Sequence, residues 1–381
     1  MMPGKRTMAV VRPCGPNFAE MAMYRQVLSE LDVTYFYSGP SLETARRELD
    51  ALGLSQLRLR RYLSCSDLSL FPTLRRVLDA KVGLGSCMLS CLAEVCEHEV
   101  INIVDPIYMF ASQVTRRLAS GQKLVVVRWE VIPNRYDQVV WGKARAQRVL
   151  SRADGIVCTT LAARDSLNVR RSSARLGQKI TVIYPGVVLP EPSPDRADEG
   201  PPCIVTVARL QWQKGLDDLI AAVAILRQSH STVVRLSVIG GGNQKPWQAL
   251  ARSYGVGDAV EFLGSLPNTG VRQQLSRAAV YCQASAVSRT WCEQFGFAAV
   301  EAMACAKSVV ACSSGVLPEI VGPDGVYVPA RNASSLAKAL AEVVNDRAGA
   351  RARGQRLASY ARQRYDAGKQ GSELLGFLNA L

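Results

Sequence analysis

Two carboxylates, Glu293 and Glu301, stand eight positions apart around Phe295-Gly296-Phe297. The stretch before Glu293 is broken and polar, with Ser285, Ser288, Arg289 and Thr290, whereas Phe297 onward reads as a helix through Met303. Glu293 is therefore expected on a loop, with the amides of Phe295, Gly296 and Phe297 opening the helix. The first N–H groups of a helix lack internal partners and its dipole points the same way, so such a start suits an anion. Gly296 lets a ligand approach the backbone closely. A carboxylate in front of an anion site is costly unless it holds something neutral, such as sugar hydroxyls, and the arrangement suits a sugar nucleotide.

The run Val205-Thr206-Val207-Ala208-Arg209-Leu210-Gln211-Trp212-Gln213-Lys214-Gly215 is the second signal. A strand ends at Val207 and a helix starts near Asp217, with Leu216, Leu219, Ile220, Val223 and Leu226 at helical spacing. Arg209 and Lys214 are thus expected on the loop at the carboxyl end of a strand, where open α/β sheets bind ligands. A guanidinium fork and an ammonium point charge both suit a diphosphate.

The elements that position these residues alternate along the chain. Expected strands are Met8–Val11, Val33–Tyr37, Val100–Val104, Leu124–Arg128, Gly155–Cys158 and Ile180–Tyr184. In the second half they are Cys203–Val207, Val233–Ile239, Val260–Leu263, Val280–Gln283, Ser308–Ala311 and Gly325–Val328. Helical patterns lie between nearly all of them, which argues for parallel βαβ units. Pro190–Pro202 is proline-rich and aperiodic, and reads as an interdomain linker. The expectation is an α/β protein of two Rossmann-like domains facing each other across a cleft: residues 1–188, a linker 189–202, and residues 203–364. The last segment, Gln355 to Leu381, is amphipathic and helical, and either caps the second domain or crosses back to the first, with 365–381 the crossing part.

At 381 residues the chain exceeds the size at which one core stops growing. No apolar run approaches the roughly 18 residues of a membrane span, and Met1–Arg12 is too quickly interrupted for a secretory signal. The 11 cysteines are odd in number with no C-x-x-C pair, which suggests reduced thiols in a cytoplasmic protein. Residues 1–190 carry 26 Lys/Arg against 16 Asp/Glu, the remainder 20 against 16. The clusters Arg58/Arg60/Arg61, Arg75/Arg76, Arg116/Arg117 and Arg170/Arg171/Arg175 read either as solvated surface or as a basic face. Such a face would meet anionic lipid or an acidic acceptor. No zinc-finger spacing, RNP-like strand or basic zipper supports nucleic acid.

The order V-A-R-L-x-x-x-K-G-x-x-D-L-I followed by E-x(7)-E resembles the second domain of the family 4 retaining glycosyltransferases (glycosyl transferases group 1), which have the GT-B fold. Val238-Ile239-Gly240-Gly241-Gly242 resembles the family's glycine-rich turn. Phe262-Leu263-Gly264 resembles the F-x-G segment beside its base pocket, with Leu266 just beyond. Gly315-Val316-Leu317-Pro318-Glu319-Ile320-Val321 resembles G-G-x-P-E-I-V with Val316 in place of the second glycine, and Gly325-Val326-Tyr327-Val328-Pro329 resembles G-x-L-V-P. The likeness runs from about Ile204 to Leu340. It implies that Arg209 and Lys214 bind the donor diphosphate and that Glu293 holds the donor-sugar hydroxyls. The Phe295–Phe297 amides would help on the phosphates and Glu301 would bind the ribose. Gly240, Gly241 and Leu266 complete the implied donor set. Eight partly helical residues span roughly 12 Å, which fits a reach from sugar past phosphates to ribose. No Asp-x-Asp occurs, so the two cations take the metal's role and neither metal nor other cofactor is expected.

The first half resembles the family less. Pro13-Cys14-Gly15-Pro16-Asn17 occupies the place of its glycine-bearing loop, with Gly15 approaching the phosphate or acceptor. Glu130, in Val126-Val127-Arg128-Trp129-Glu130, falls where the family commonly has a histidine. Glu130 either takes or orients the acceptor hydroxyl's proton, or hydrogen-bonds the donor sugar while the leaving phosphate takes that proton. Asp105, before Pro106, is a further acceptor-side candidate or else a cap or turn residue. Trp129 reads as packing, and His98 and His230 as surface residues.

The expected activity is metal-independent, retaining transfer of a hexose-type sugar from a UDP- or GDP-linked donor. The acceptor would be a lipid-linked, glycan or small-molecule hydroxyl, in the cytoplasm or peripherally at the inner face of a membrane. The rival enzymatic reading is another GT-B activity such as a sugar-nucleotide epimerase, which the two histidines of the chain disfavour. The non-enzymatic rival is a basic membrane- or nucleic-acid-binding protein on a GT-B scaffold, which would show no donor hydrolysis.

Overall fold

The computed structural model describes residues 5–13, 21–39, 41–65, 67, 86–132, 142–167, 180–190, 200–229 and 233–381. Gly15, the clusters Arg75/Arg76 and Arg170/Arg171/Arg175, His230 and most of the expected linker lie outside these residues. The chain divides into two compact units, Met1–Val188 with Ala367–Leu381, and Leu189–Asp366. Among the described residues no helix is long and apolar enough to cross a membrane.

The first unit is built on a sheet of seven strands: β1 (Arg6–Arg12), β2 (Leu31–Tyr37), β3 (Arg58–Arg61), β4 (Val100–Val104), β5 (Lys123–Arg128), β6 (Gly155–Cys158) and β7 (Ile180–Val182). Their order is β3-β2-β1-β4-β5-β6-β7 and every pairing is parallel. β4 is buried at every position and β5 at all but Lys123. Such continuous apolar runs are what a sheet covered on both faces requires. Helix Ala367–Asn379 packs on helix Tyr24–Glu30. Leu374 and Leu378 join Val27, Leu28 and Leu31 in this unit's core.

β3 is a strand the sequence pattern did not reveal. Its composition, Arg-Leu-Arg-Arg, buries only Leu59. As an edge strand it needs one inward side chain, and outward arginines deter pairing with another chain. The basic cluster is largely engaged locally: Arg58 pairs with Asp32 at 2.6 Å, Arg60 with Glu94 at 2.8 Å and Arg61 with Asp67 at 3.6 Å. His98 corrects a second expectation. It is buried rather than superficial, edge-on to Phe36, with Nδ1 2.9 Å from the Glu94 carbonyl.

The second unit carries six parallel strands: β8 (Cys203–Val207), β9 (Arg235–Ile239), β10 (Val260–Gly264), β11 (Val280–Gln283), β12 (Val309–Cys312) and β13 (Val326–Val328). Their order is β10-β9-β8-β11-β12-β13. Helices Leu216–Ser229 and Ala333–Asn345 cover one face with Leu219, Ile220, Val223, Leu336 and Leu340. The expected strands agree with these to within two residues at most ends. Burying alternating βαβ units in this way leaves the carboxyl ends of β8, β9 and β11 to carry the loops of interest.

Candidate donor site and the charged edge of the first unit

In the second unit, β8 ends at Val207 and the chain turns through Arg209 into a short 3₁₀ turn, Trp212–Lys214. Gly215 closes that turn at φ +64°, and a Cβ there would lie 1.8 Å from the Ala284 carbonyl oxygen. Only glycine lets the Lys214 turn abut the end of β11. Gln213 O accepts the Ala286 amide at 2.8 Å, which fixes the two loops together.

Lys214 reaches directly to Glu293, with Nζ 2.8 Å from Oε2 and 3.2 Å from Oε1. Glu293 Oε2 also accepts from Ser285 Oγ at 2.7 Å and from Gln283 Nε2 at 3.0 Å. Gln283 is held in turn by Tyr281, whose hydroxyl donates to Oε1 at 3.0 Å. Glu293 is thus buried with one oxygen saturated and the other engaged by Lys214 alone among the described residues. Lys214 Nζ further lies 5.1 Å over the Trp291 ring, a cation–π contact. The sequence marked Lys214 and Glu293 separately, for phosphate and for sugar. Their direct pairing, and the support of Gln283, Ser285 and Trp291, were missed. A polar residue closing the apolar run Val280-Tyr281-Cys282 was the available signal.

The Glu293 backbone is pinned as well. Its carbonyl accepts the Val316 amide at 3.1 Å, and its own amide donates to Ser314 Oγ at 3.4 Å. A Cβ on Gly315, at φ +55°, would sit 2.0 Å from that carbonyl oxygen. Val316, where the family motif has a second glycine, holds φ −90° and needs no glycine. The departure from the motif is therefore harmless to the local backbone.

The helix expected after Glu293 runs Phe297–Ala304. Gly296 is its N-cap at φ +86°, and no side chain caps it. Phe295 is core: it packs on Phe297 at 4.7 Å and edge-on to Tyr365 at 5.6 Å. Glu301 is half-buried within this helix. Burial raises its pKa above the usual glutamate value, partly offset by the Arg272 cation. Arg209 is exposed, and its guanidinium has no partner among the described residues. Gly240 and Gly241 lie at the end of β9. A Cβ on Gly240 would meet the Ala208 carbonyl oxygen at 1.9 Å, and Gly241 O accepts the Leu210 amide at 2.9 Å. Gly240 is explained by close packing on the Arg209 loop. Leu266 is half-buried beyond β10.

In the first unit, the charges at the carboxyl ends of β1, β4 and β5 converge. Arg12 ends β1 and donates to Asn102 Oδ1 at 3.1 Å and to the Tyr24 hydroxyl at 3.2 Å. Asp105 follows β4 with φ +36°, a region that favours glycine. Its Oδ1 accepts the Trp129 amide at 3.3 Å and lies 3.7 Å from Arg128 Nη1. Arg128 is 2% exposed and donates to Ser166 Oγ at 2.8 Å. Burial pushes the Asp105 carboxyl above its ordinary pKa, against the pull of Arg128, the Trp129 and Glu130 amides, and Arg12. Burial likewise lowers the Arg128 pKa, against the charges of Asp105 and Glu130. Glu130 is half-buried, with Oε1 accepting the Ile132 amide at 2.9 Å and its carbonyl accepting Ser166 Oγ at 2.8 Å. Trp129 packs against the core. Asp105 does not cap a helix: the next helix, Met109–Thr115, is capped at Tyr108. Arg12 and Arg128 were not singled out by the sequence, although each is the lone charge closing an apolar strand.

These features define the class of protein. Along its whole length the chain superposes on sucrose-phosphate synthase from Thermosynechococcus elongatus with a TM-score of 0.76 at 18% identity, covering 99% of each chain. It superposes on the Anabaena protein HepE, in complex with UDP and glucose, with a TM-score of 0.73 at 16% identity, covering 99% of this chain and 100% of that one. The fold is that of the GT-B glycosyltransferases.

Residues 191–364 match the family model described as glycosyl transferases group 1. The second unit thus resembles a glycosyl transferases group 1 domain, carried on a chain with the GT-B fold. The chain is 37% identical over 172 residues to glycogen synthase of Mycobacterium tuberculosis, covering 44% of this chain and 39% of the relative. It is 32% identical over 222 residues to D-inositol 3-phosphate glycosyltransferase of Corynebacterium kroppenstedtii, covering 52% and 48%. The chain thus spans half or less of the length of these curated relatives.

Proposed function

We propose that the protein transfers a hexose-type sugar from a nucleoside-diphosphate sugar to an acceptor hydroxyl, with retention at the anomeric carbon and without a metal. The observation that carries this is the Lys214–Glu293 pair together with Arg209, exposed and without a partner among the described residues, at the carboxyl ends of β8 and β11 in a unit that matches the glycosyl transferases group 1 model. The UDP named with HepE supports a uridine donor.

Arg209 and Lys214 take the diphosphate and neutralise the charge that develops as the bond from the anomeric carbon to the phosphate oxygen breaks. Glu293, anchored through Oε2, offers Oε1 to the donor-sugar hydroxyls. The start of helix Phe297–Ala304 supports a phosphate through its backbone, and Glu301 holds the ribose. Gly240, Gly241 and Leu266 border the nucleoside. The acceptor oxygen forms the new bond to the anomeric carbon, and its proton passes to the leaving phosphate. Asp105 and Glu130 are assigned to the acceptor side.

A thermal-shift panel of UDP, GDP, ADP and dTDP tests the donor half, because a ligand at 100 times its Kd adds about 2.7 kcal/mol to folded-state stability. One diphosphate should raise the melting temperature by several degrees, and the matching sugar nucleotide should be hydrolysed slowly without acceptor. No response to any of the four would refute the reading.

A further inference from the structure

Two thiols with no part in the donor site face each other beyond the end of β3. Ser64 and Met88 form an antiparallel bridge. The Cys65 amide donates to the Cys87 carbonyl at 3.2 Å, and the Leu89 amide donates to the Leu63 carbonyl at 2.8 Å. This register sets Cys65 directly opposite Cys87. Side chains alternate between the two faces of such a ladder. Ser64 and Met88 are buried on one face, so Cys65 and Cys87 share the other with the exposed Leu63 and Leu89. Both cysteines are partly exposed, and both are free thiols.

Side chains outside the pair fix this opposition. Gln113 Oε1 accepts the Met88 amide at 2.9 Å, and its Nε2 donates to the Met88 carbonyl at 3.0 Å. Ser90 Oγ accepts the Leu63 amide at 2.9 Å, and the Ser64 amide donates to Asp67 Oδ2 at 2.7 Å. Opposed residues that share a ladder hydrogen bond have Cα atoms about 5.5 Å apart. That lies inside the roughly 4.4–6.8 Å a disulfide spans. The thiols also act on each other. Burial is the largest cause raising the Cys87 pKa, the charge of Cys65 and a hydrogen bond with it raise it further, and Gln113 lowers it. Structural cysteines are typically buried and inert, whereas this pair is held in disulfide register and reached by solvent.

We propose that Cys65 and Cys87 are an oxidative modification site, closing to a reversible intrachain disulfide on reaction with a low-molecular-weight disulfide. One protein thiol loses its proton, and its thiolate attacks a sulfur of the small disulfide and expels one small thiolate. The second protein thiolate attacks the protein sulfur of that mixed disulfide and expels the other. Two protein S–H bonds and one small S–S bond become one protein S–S bond and two small thiols, which carry off the two protons. The protein loses two electrons and the small disulfide gains them. Exposure keeps the bond open to attack by thiols, so a reducing compartment reverses it. The bond ties the segment leaving β3 to the segment entering helix Leu92–Val95. This assignment does not rest on the glycosyltransferase reading, since it uses none of the donor-site residues.

The test is oxidation of the reduced full-length protein with oxidised glutathione, alkylation of the remaining thiols, and tryptic mapping of the monomer without reductant. Cleavage after Arg61, Arg75, Lys81 and Arg116 places Cys65 in residues 62–75, and Cys87 in residues 82–116 with Cys91 and Cys96. The two peptides are expected as one linked species that dithiothreitol separates. It should survive in Cys91→Ser/Cys96→Ser and be lost in Cys65→Ser and in Cys87→Ser. A linkage that persists in Cys87→Ser would overturn the proposal. So would wild-type protein in which Cys65 stays a free thiol or stops at a mixed disulfide with glutathione.

Discussion

The two parallel sheets present charge at their carboxyl ends in opposite ways. In the first unit, Arg12, Asp105 and Arg128 are each at most 9% exposed, and Asp105 meets Arg128 only at 3.7 Å. In the second, Lys214 meets Glu293 at 2.8 Å, three side chains converge on one carboxylate, and Arg209 stands in solvent. The first arrangement withholds its charges from water, and desolvation is the largest influence on the titration of Asp105 and Arg128. The second saturates one oxygen of its buried acid and leaves Arg209 without a partner among the described residues. The lesson is that the edge carrying Arg209 and Lys214 keeps a cation open to solvent, whereas the edge of the first unit buries its charges.

Removing the acid from each edge should therefore give opposite results. The largest effect is expected for Glu293→Gln, which strips the charge partner from Lys214 and disturbs Gln283 and Ser285. Breaking so buried a pair should cost about 2–4 kcal/mol in denaturant unfolding, and turnover should fall at least a hundredfold. An unchanged unfolding midpoint would show that the pair contributes little.

Asp105→Asn should behave otherwise. The folded-state pKa of Asp105 is raised, so the folded protein holds that proton to higher pH than the unfolded chain does. Its stabilising contribution is complete below the ordinary carboxylate range and is lost as pH rises through the folded pKa, with each unit of the rise worth about 1.4 kcal/mol. Asp105→Asn should match the wild type at about pH 4 and equal or exceed it at pH 7. A clear loss of stability at pH 7 would mean that pairing with Arg128 outweighs desolvation, and the contrast between the edges would collapse.

Arg209→Ala should be the mildest for folding. The side chain is exposed and has no partner among the described residues, so unfolding should shift by less than about 0.5 kcal/mol. Affinity for the nucleoside diphosphate should fall about tenfold, or roughly 1.4 kcal/mol. Equal affinity in a titration would move the phosphate site away from Arg209.

The sheets were readable because both are buried on two faces, and strands such as Val100–Val104 and Val280–Gln283 are nearly uninterrupted apolar runs. β3 was not, because an edge strand can bury one leucine among three arginines. His98 was misread for a related reason: its neighbours in sequence are Glu97 and Glu99, whereas its neighbour in space is Phe36. In the second unit Arg209, Lys214, Glu293 and Glu301 stood out by type and spacing, while Gln283, Ser285 and Trp291 did not.

Local periodicity, turn residues and the spacing of a few charged side chains are properties of short stretches of chain. The sequence alone therefore determined the βαβ alternation, the break near Pro190, and the loops that carry Arg209, Lys214 and Glu293. Only tertiary structure decided that Lys214 and Glu293, 79 residues apart, share a salt bridge. It alone also decided that Arg12, Asp105 and Arg128 are buried at neighbouring strand ends. The reason is physical: burial and charge pairing depend on which strand ends meet, and sheet order, not distance along the chain, sets that.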